Sequence, residues 1–149
     1  MRSYENETRS YENEDENEND NLNGIKTKTM ESKQKARNFR EYKVWQDAVS
    51  FATRVYLVTN KLPWFEKKGL CDQLQRAVVS ISSNIAEGAG RPSDSEFTHF
   101  LDIALGSAYE VETQMLISKN IGYIDETIYN ELHSKIESQL ASLIRSIRK

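Results

Sequence analysis

The sequence predicts an all-α protein, an antiparallel up-and-down four-helix bundle preceded by a disordered acidic N-terminal tail. Three observations predict it. Four segments repeat apolar residues at the three-and-four spacing of a helix face, proline, glycine and capping residues punctuate them, and no stretch of comparable length alternates as a strand does. The chain has 149 residues, enough for one domain. The reading divides it into a low-complexity tail over 1–36 and a bundle over 37–149.

The tail comes first. RSYENE at 2–7 returns at 9–14 and is followed by DENENDNLNG. The first 24 residues hold eight acids against Arg2 and Arg9, a net of −6, whereas residues 25–149 carry +3. The repeat period is seven, but only Tyr4 and Tyr11 recur, so no coiled-coil seam accompanies it. Dense charge with little apolar surface cannot offset the entropy of ordering, hence the expectation of disorder. The segment reads as an acidic interaction arm or as a passive extension with Met30 as the working initiator, and the second is favoured.

Asn38 and Glu41 have the spacing of a capping box and open the first helix. Its stripe is Trp45, Ala48, Val49, Ala52, Tyr56 and Thr59, and Pro63 stops it near Lys61. The second helix runs from about Glu66 to Gly88 on Leu70, Leu74, Ala77, Val78, Ile81 and Ile85, and Gly88, Gly90 and Pro92 end it. Ser93 with Glu96 caps the third, whose face is Phe97, Phe100, Leu101, Ala104, Ala108, Val111 and Met115, up to Asn120 and Gly122. Asp125 caps the fourth, with Ile128, Leu132, Ile136, Leu140, Leu143 and Ile147. Cys71 is the lone cysteine, so one chain can build neither a disulfide nor a thiolate metal site, and its apolar neighbours predict burial.

The opposite faces are informative. Val44, Phe51, Val55, Val58 and Leu62 form a second apolar side on the first helix. Ile103, Leu105, Tyr109, Leu116 and Ile117 do so on the third. A helix apolar most of the way round is buried on more than one side, and one bundle cannot hide both. Self-association in a closed symmetric assembly is the expectation.

The stretch SISSNIAEGAGR (80–91) carries most of a polar strip of Gln73, Arg76, Ser80, Ser83, Asn84 and Glu87, which spans about 100° of the second helix. Three readings compete. An anion site would use Arg76 and Arg91, but the glycines sit at a helix C-terminus, where the dipole repels anions, and no GxxxxGK[ST] pattern is present. A hydrolytic or metal site lacks its parts. His99 and His133 are solvated by expectation, no serine has a nucleophile setting, and Glu96 with His99 is a single Glu-x-x-His pair beside Glu87, Asp102, Glu110 and Glu112. The favoured reading is structural: Ser80, Ser83, Ala86 and Gly88 let helices approach. Gln73, Arg76, Asn84 and Glu87 then pair with each other or a neighbour, Arg76 to Glu110 or Glu112 among the options.

FREYKVWQDA (39–48), QLQRAVVSISSNIAEGAGR (73–91), EFTHFLDIALGSAYEVETQM (96–115) and GYID (122–125) together resemble the four-helix-bundle proteins encoded in 23S rRNA intervening sequences. The likeness covers 38–147. It implies a ring-shaped homopentamer, no enzymatic activity, and kinship with the pentameric accessory protein of diversity-generating retroelements, which binds nucleic acid and a reverse transcriptase. The signature positions matched are Trp45, Gln73, Arg76, Asn84, Glu87, Gly88, Arg91, Phe97, Phe100, Gly106, Glu110 and Glu112. Many members carry two adjacent basic residues where this chain has Gln75–Arg76, which lowers the cationic density there.

The function expected is therefore a non-enzymatic homo-oligomer, a pentamer by the resemblance, that binds RNA or DNA through Lys43, Arg54, Lys67, Lys68, Arg76, Arg91 and Lys119. The interface strip comprises Gln73, Arg76, Ser80, Asn84, Glu87, Glu110 and Glu112. The alternative is a scaffold that binds a protein partner and ignores nucleic acid. No cofactor or metal is expected. The apolar runs fall short of a membrane span and the start lacks a secretory leader, so a cytoplasmic protein is expected.

Overall fold

The computed structural model describes residues 37–132 and 135–149. The acidic tail expected over 1–36, Met30 and His133 lie outside the described residues. The described chain forms α1 (Lys43–Thr59), α2 (Leu70–Ala89), α3 (Asp94–Asn120), α4 (Glu126–Leu132) and α5 (Ile136–Ile147), with short 3₁₀ turns at Phe39–Glu41 and Trp64–Glu66. α4 and α5 together make the fourth leg of an up-and-down bundle. The short connections leave antiparallel neighbours as the simple solution.

Several boundaries differ from the sequence expectation, each for a local reason. Asn38 does accept from the Arg40 amide at 3.3 Å and donates to Glu41 at 2.8 Å, but this closes a 3₁₀ turn. Tyr42 then adopts extended backbone, φ −73° and ψ 117°, and α1 begins only after it. α2 starts at Leu70 rather than Glu66 because Gly69, with φ −109° and ψ −112°, interrupts the helical path. The fourth leg is described as two helices, Glu126–Leu132 and Ile136–Ile147, with Lys135 at φ −90° and ψ 11° before the second.

On α1 the buried side draws on both expected apolar sides, with Ala48 and Thr59 from one and Val44, Phe51 and Val55 from the other. Val44, Ala48, Phe51, Val55 and Thr59 are buried, while Val49 and Tyr56 face solvent. Bulky aliphatics and phenylalanine remove more apolar area from water than alanines, and Tyr56 keeps its hydroxyl wet. Trp45 packs edge-on against Phe39, ring centres 5.0 Å apart, at the margin of the core.

α3 is the central element, about 40 Å long at helical rise. Ser93 accepts from the Glu96 amide at 3.2 Å and donates its hydroxyl to the Glu96 carboxylate at 2.7 Å, so the two residues expected at the cap close the helix start together. At its C-terminus Tyr123 N–H donates to the Ser118 carbonyl at 2.8 Å and Gly122 N–H to that of Lys119 at 3.0 Å. This Schellman closure needs the left-handed Gly122, φ 82°. Asp125 accepts from the Ile128 amide at 2.8 Å and starts α4.

The core runs through Phe51, Leu74, Ile81, Phe97, Leu101, Val111, Ile136 and Leu140. Cys71 is buried and donates to the Thr59 carbonyl at 3.5 Å, while Thr59 accepts from Gln75 at 2.9 Å. Burial, and secondarily the Glu66 carboxylate, pushes the Cys71 thiol up, so it stays protonated. The close approach of α2 and α3 is set by Gly88. A β-carbon there would lie 2.6 Å from Phe100 Cβ and 3.1 Å from the Phe97 ring. Of the small residues of SISSNIAEGAGR, Ser80 and Gly88 thus lie against α3.

Candidate functional site

The polar strip of α2 is assembled by two helices. Ser80 and Ser107 share a hydroxyl hydrogen bond at 2.9 Å, and Asn84 donates to the Ser80 carbonyl and hydroxyl at 2.8 and 2.9 Å. Further along, Gln114 donates to Gln73 at 3.3 Å and to Glu110 at 3.1 Å. Gln73, Ser80, Asn84 and Glu110 therefore lie along one α2–α3 seam. Ser83 is exposed. Arg76 pairs with Asp72 at 3.1 Å one turn before it, rather than with Glu110 or Glu112. Both members of that pair stay well exposed, so screening keeps its contribution small. Glu87 is held by Arg91, whose guanidinium also lies over the Phe100 ring.

Glu112 turns toward the fourth leg. It lines a small cavity with Glu137, Phe51, Ala108, Met115, Tyr129 and Leu132. Burial first, then the hydrogen bond and charge of Glu112, pushes the Glu137 carboxyl from its ordinary 4.5 up to about 7. Raised folded-state pKa means that the fold binds the extra proton between these values. Stability is fully favoured below 4.5 and is lost as pH rises toward about 7. Urea unfolding on either side of that window is expected to show wild-type stability falling by about 1 kcal/mol. That is far less than ~1.36 kcal/mol per pKa unit would give, because solvent screens a partly exposed carboxyl. Glu137→Gln should remove most of the dependence. A slope unchanged by this substitution would contradict the assignment.

The seven predicted cations do not converge on one surface of a single chain. Lys43 pairs with Asp47 on α1, and Arg54 donates to the Glu131 carbonyl at 2.8 Å. Lys119 pairs with Glu126 at 2.6 Å and lies over the Tyr129 ring. With Arg76 and Arg91 also ion-paired, Lys67 and Lys68 are the two of the seven with neither an ion pair nor a side-chain hydrogen bond among the described residues. They sit at the bundle end that also carries Lys61, the exposed Trp64–Phe65 pair and the Gly122 turn. Beside it a groove of about 480 Å³ is edged by Arg54 and Lys61 over Leu57, Ile124 and Ile128. Sequence reading missed Trp64 and Phe65, although KLPWFEKK places two aromatics among three lysines in plain view.

The carboxylates that could have gathered a metal are dispersed. Glu87 meets Arg91, Glu96 meets Ser93, Asp102 meets Arg148 and Glu110 meets Gln114. Among the described residues no group of three or more His, Cys, Asp or Glu is placed to hold a metal ion. His99 is exposed. No described helix is long and apolar enough to cross a membrane.

The outward side of α3 is the other notable surface. Ile103, Tyr109, Leu116 and Ile117 are all exposed there, Tyr109 to 52%. At about 100° per residue they fall with Glu110 and Thr113 in an arc of about 140°, opposite the core face. Gly106 lies inside that arc, and a β-carbon added to it would meet nothing within 4 Å. Nothing among the described residues demands a glycine there.

Comparison with known proteins agrees with this architecture. A family model described as 23S rRNA-intervening sequence protein matches residues 40–145. A crystal structure from Bacteroides thetaiotaomicron, described as a protein of unknown function from the S23 ribosomal protein family, superposes with a TM-score of 0.60 at 28% identity. The match covers 71% of this chain and 98% of that one. A search of curated proteins finds no match.

Proposed function

The chain belongs to the 23S rRNA-intervening sequence protein family, and from that premise we propose that it is a non-enzymatic homo-oligomer, a pentamer by family likeness, that binds RNA or other nucleic acid through cations repeated by symmetry. The observation that carries the reading is the outward face of α3. Ile103, Tyr109, Leu116 and Ile117 surround a helix-interior glycine that costs about 1 kcal/mol relative to alanine, and an added β-carbon there would meet nothing among the described residues. A second copy approaching closely at Gly106 would cover the apolar residues and give the glycine its reason.

Assembly changes what the dispersed lysines and arginines can do. A patch with two or three free ammonium groups binds a polyanion weakly, but several copies on one strand act multivalently. Phosphate contacts of this kind release counterions and carry no base preference. The full-length protein is expected to retard RNA and DNA alike at low salt, with affinity falling steeply toward physiological salt. Absence of any retardation at micromolar protein would overturn the nucleic-acid half of the reading. Size exclusion with light scattering tests the other half, and a single 17.2-kDa chain at high concentration would overturn it.

A protein scaffold is the second reading, supported by Val49, Tyr56 and Leu57 exposed on α1. Partners that remain bound in a native pull-down after nuclease treatment would favour it.

A further inference from the structure

The turn between α1 and α2 leaves two aromatic rings in water. Trp64 is 86% exposed and Phe65 61%. An indole offers more apolar area for burial than almost any side chain, so an unburied one is a surface with a price. The two rings meet edge to face, centres 6.2 Å apart at 79°.

The turn that carries them is tied down. Pro63 precedes Trp64 and accepts from the Glu66 amide at 2.9 Å, the Trp64 carbonyl accepts from Lys67 at 3.2 Å, and the Glu66 carbonyl accepts from Gly69 at 2.9 Å. Glu66 is the only acid of the segment, and its carboxylate is spent on the protein. One oxygen accepts from the Tyr123 hydroxyl at 2.9 Å and the other from the Leu70 amide at 3.1 Å. What remains facing outward is two π surfaces with Lys61, Lys67 and Lys68, none of which has an ion pair among the described residues.

We propose that the Pro63–Lys68 turn is a stacking platform for unpaired bases of single-stranded nucleic acid, with Trp64 taking a base and Lys61, Lys67 and Lys68 the flanking phosphates. The inference rests on the nucleic-acid reading above and narrows it to one strand form. Every base has a π face, so an exposed ring binds without choosing sequence, and lysines track the backbone as point charges. A duplex offers no free base face. A lipid surface is the poorer fit, because a three-residue 3₁₀ turn has no amphipathic face to sink into a bilayer. A protein partner would have to cover three ammonium groups along with the rings.

The chain has two tryptophans, and Trp45 lies partly buried against Phe39. The full-length Trp45→Phe variant therefore reports Trp64 fluorescence alone. Oligouridylate is expected to quench that signal at low salt, and an RNA duplex of equal length to leave it nearly unchanged. In the otherwise unaltered chain, Trp64→Leu keeps the apolar bulk but loses the π face. It is expected to weaken oligouridylate binding by roughly 5- to 100-fold and to leave duplex binding as it was. Replacing Lys67 and Lys68 together by Gln should flatten the salt dependence for the single strand by about 0.7 per lysine on logarithmic axes.

Oligouridylate that binds Trp64→Leu as tightly as the parent would overturn the platform while the general nucleic-acid reading stands. Retention of neither RNA form would overturn both. Quenching by phosphatidylserine vesicles and not by oligouridylate would also overturn it and assign the turn to a membrane surface.

Discussion

Ile117→Glu is expected to turn the proposed homo-oligomer into single chains without melting its helices. Ile117 is exposed within the isolated chain, so a carboxylate there is solvated and costs the folded monomer little. α3 keeps its capped start and its buried side on Phe97, Leu101, Val111 and Met115. In an interface the same carboxylate would be desolvated beside Ile103 and Tyr109 with no partner, and buried anchors of this kind typically carry about 2 kcal/mol or more. That corresponds to roughly 30-fold or more in subunit dissociation. Light scattering over a concentration series should show the wild-type chain assembled and Ile117→Glu dissociated, with unchanged helicity. An assembly indifferent to both Ile117→Glu and Tyr109→Glu would show that copies meet elsewhere.

Gly88→Ala is expected to destabilise the bundle by about 1–3 kcal/mol, whereas Gly106→Ala meets no clash among the described residues. One methyl is added in each case, and both glycines lie inside helices. At Gly88 the new carbon would sit 2.6 Å from Phe100 Cβ, an atom fixed by the α3 backbone. The helices must then separate, and overpacking of that type has the stated cost. At Gly106 the methyl meets nothing and gains about 1 kcal/mol of helix propensity. If copies approach at Gly106, this gain appears in the monomer and is accompanied by weaker assembly. Urea unfolding should be compared at equal protein concentration, because subunit association shifts apparent stability by mass action. Equal stability of Gly88→Ala and wild type would refute the close α2–α3 approach.

Much of the fold was legible because helices announce themselves locally. The Ser93–Glu96 box, the Asp125 cap and the Gly122 stop lie at α3 and α4 boundaries as their chemistry requires. Boundaries failed where a short 3₁₀ turn could satisfy the same capping residues, as Asn38 and Glu41 do. The inward side of α1 was only half legible: Ala48 and Thr59 are buried as expected, but Val49 and Tyr56 compete with Val44, Phe51 and Val55 at the same period, and periodicity does not rank two apolar stripes. Pairings across helices were beyond reach. Nothing in the spacing of Glu112 and Glu137 announces that they line one cavity, and Arg76 took the acid one turn away because that partner needs no tertiary approach.

By itself, then, the sequence determined the helical class, most of the caps, and the surplus of apolar residues on α3, since propensity, capping and periodicity are local properties of the chain. The tertiary structure decided which α1 stripe faces inward, where Gly88 brings two backbones together, and which cations remain unpaired at the Trp64 turn. Those depend on distances between residues far apart in the chain, and packing fixes them only when all the legs of the bundle are in place.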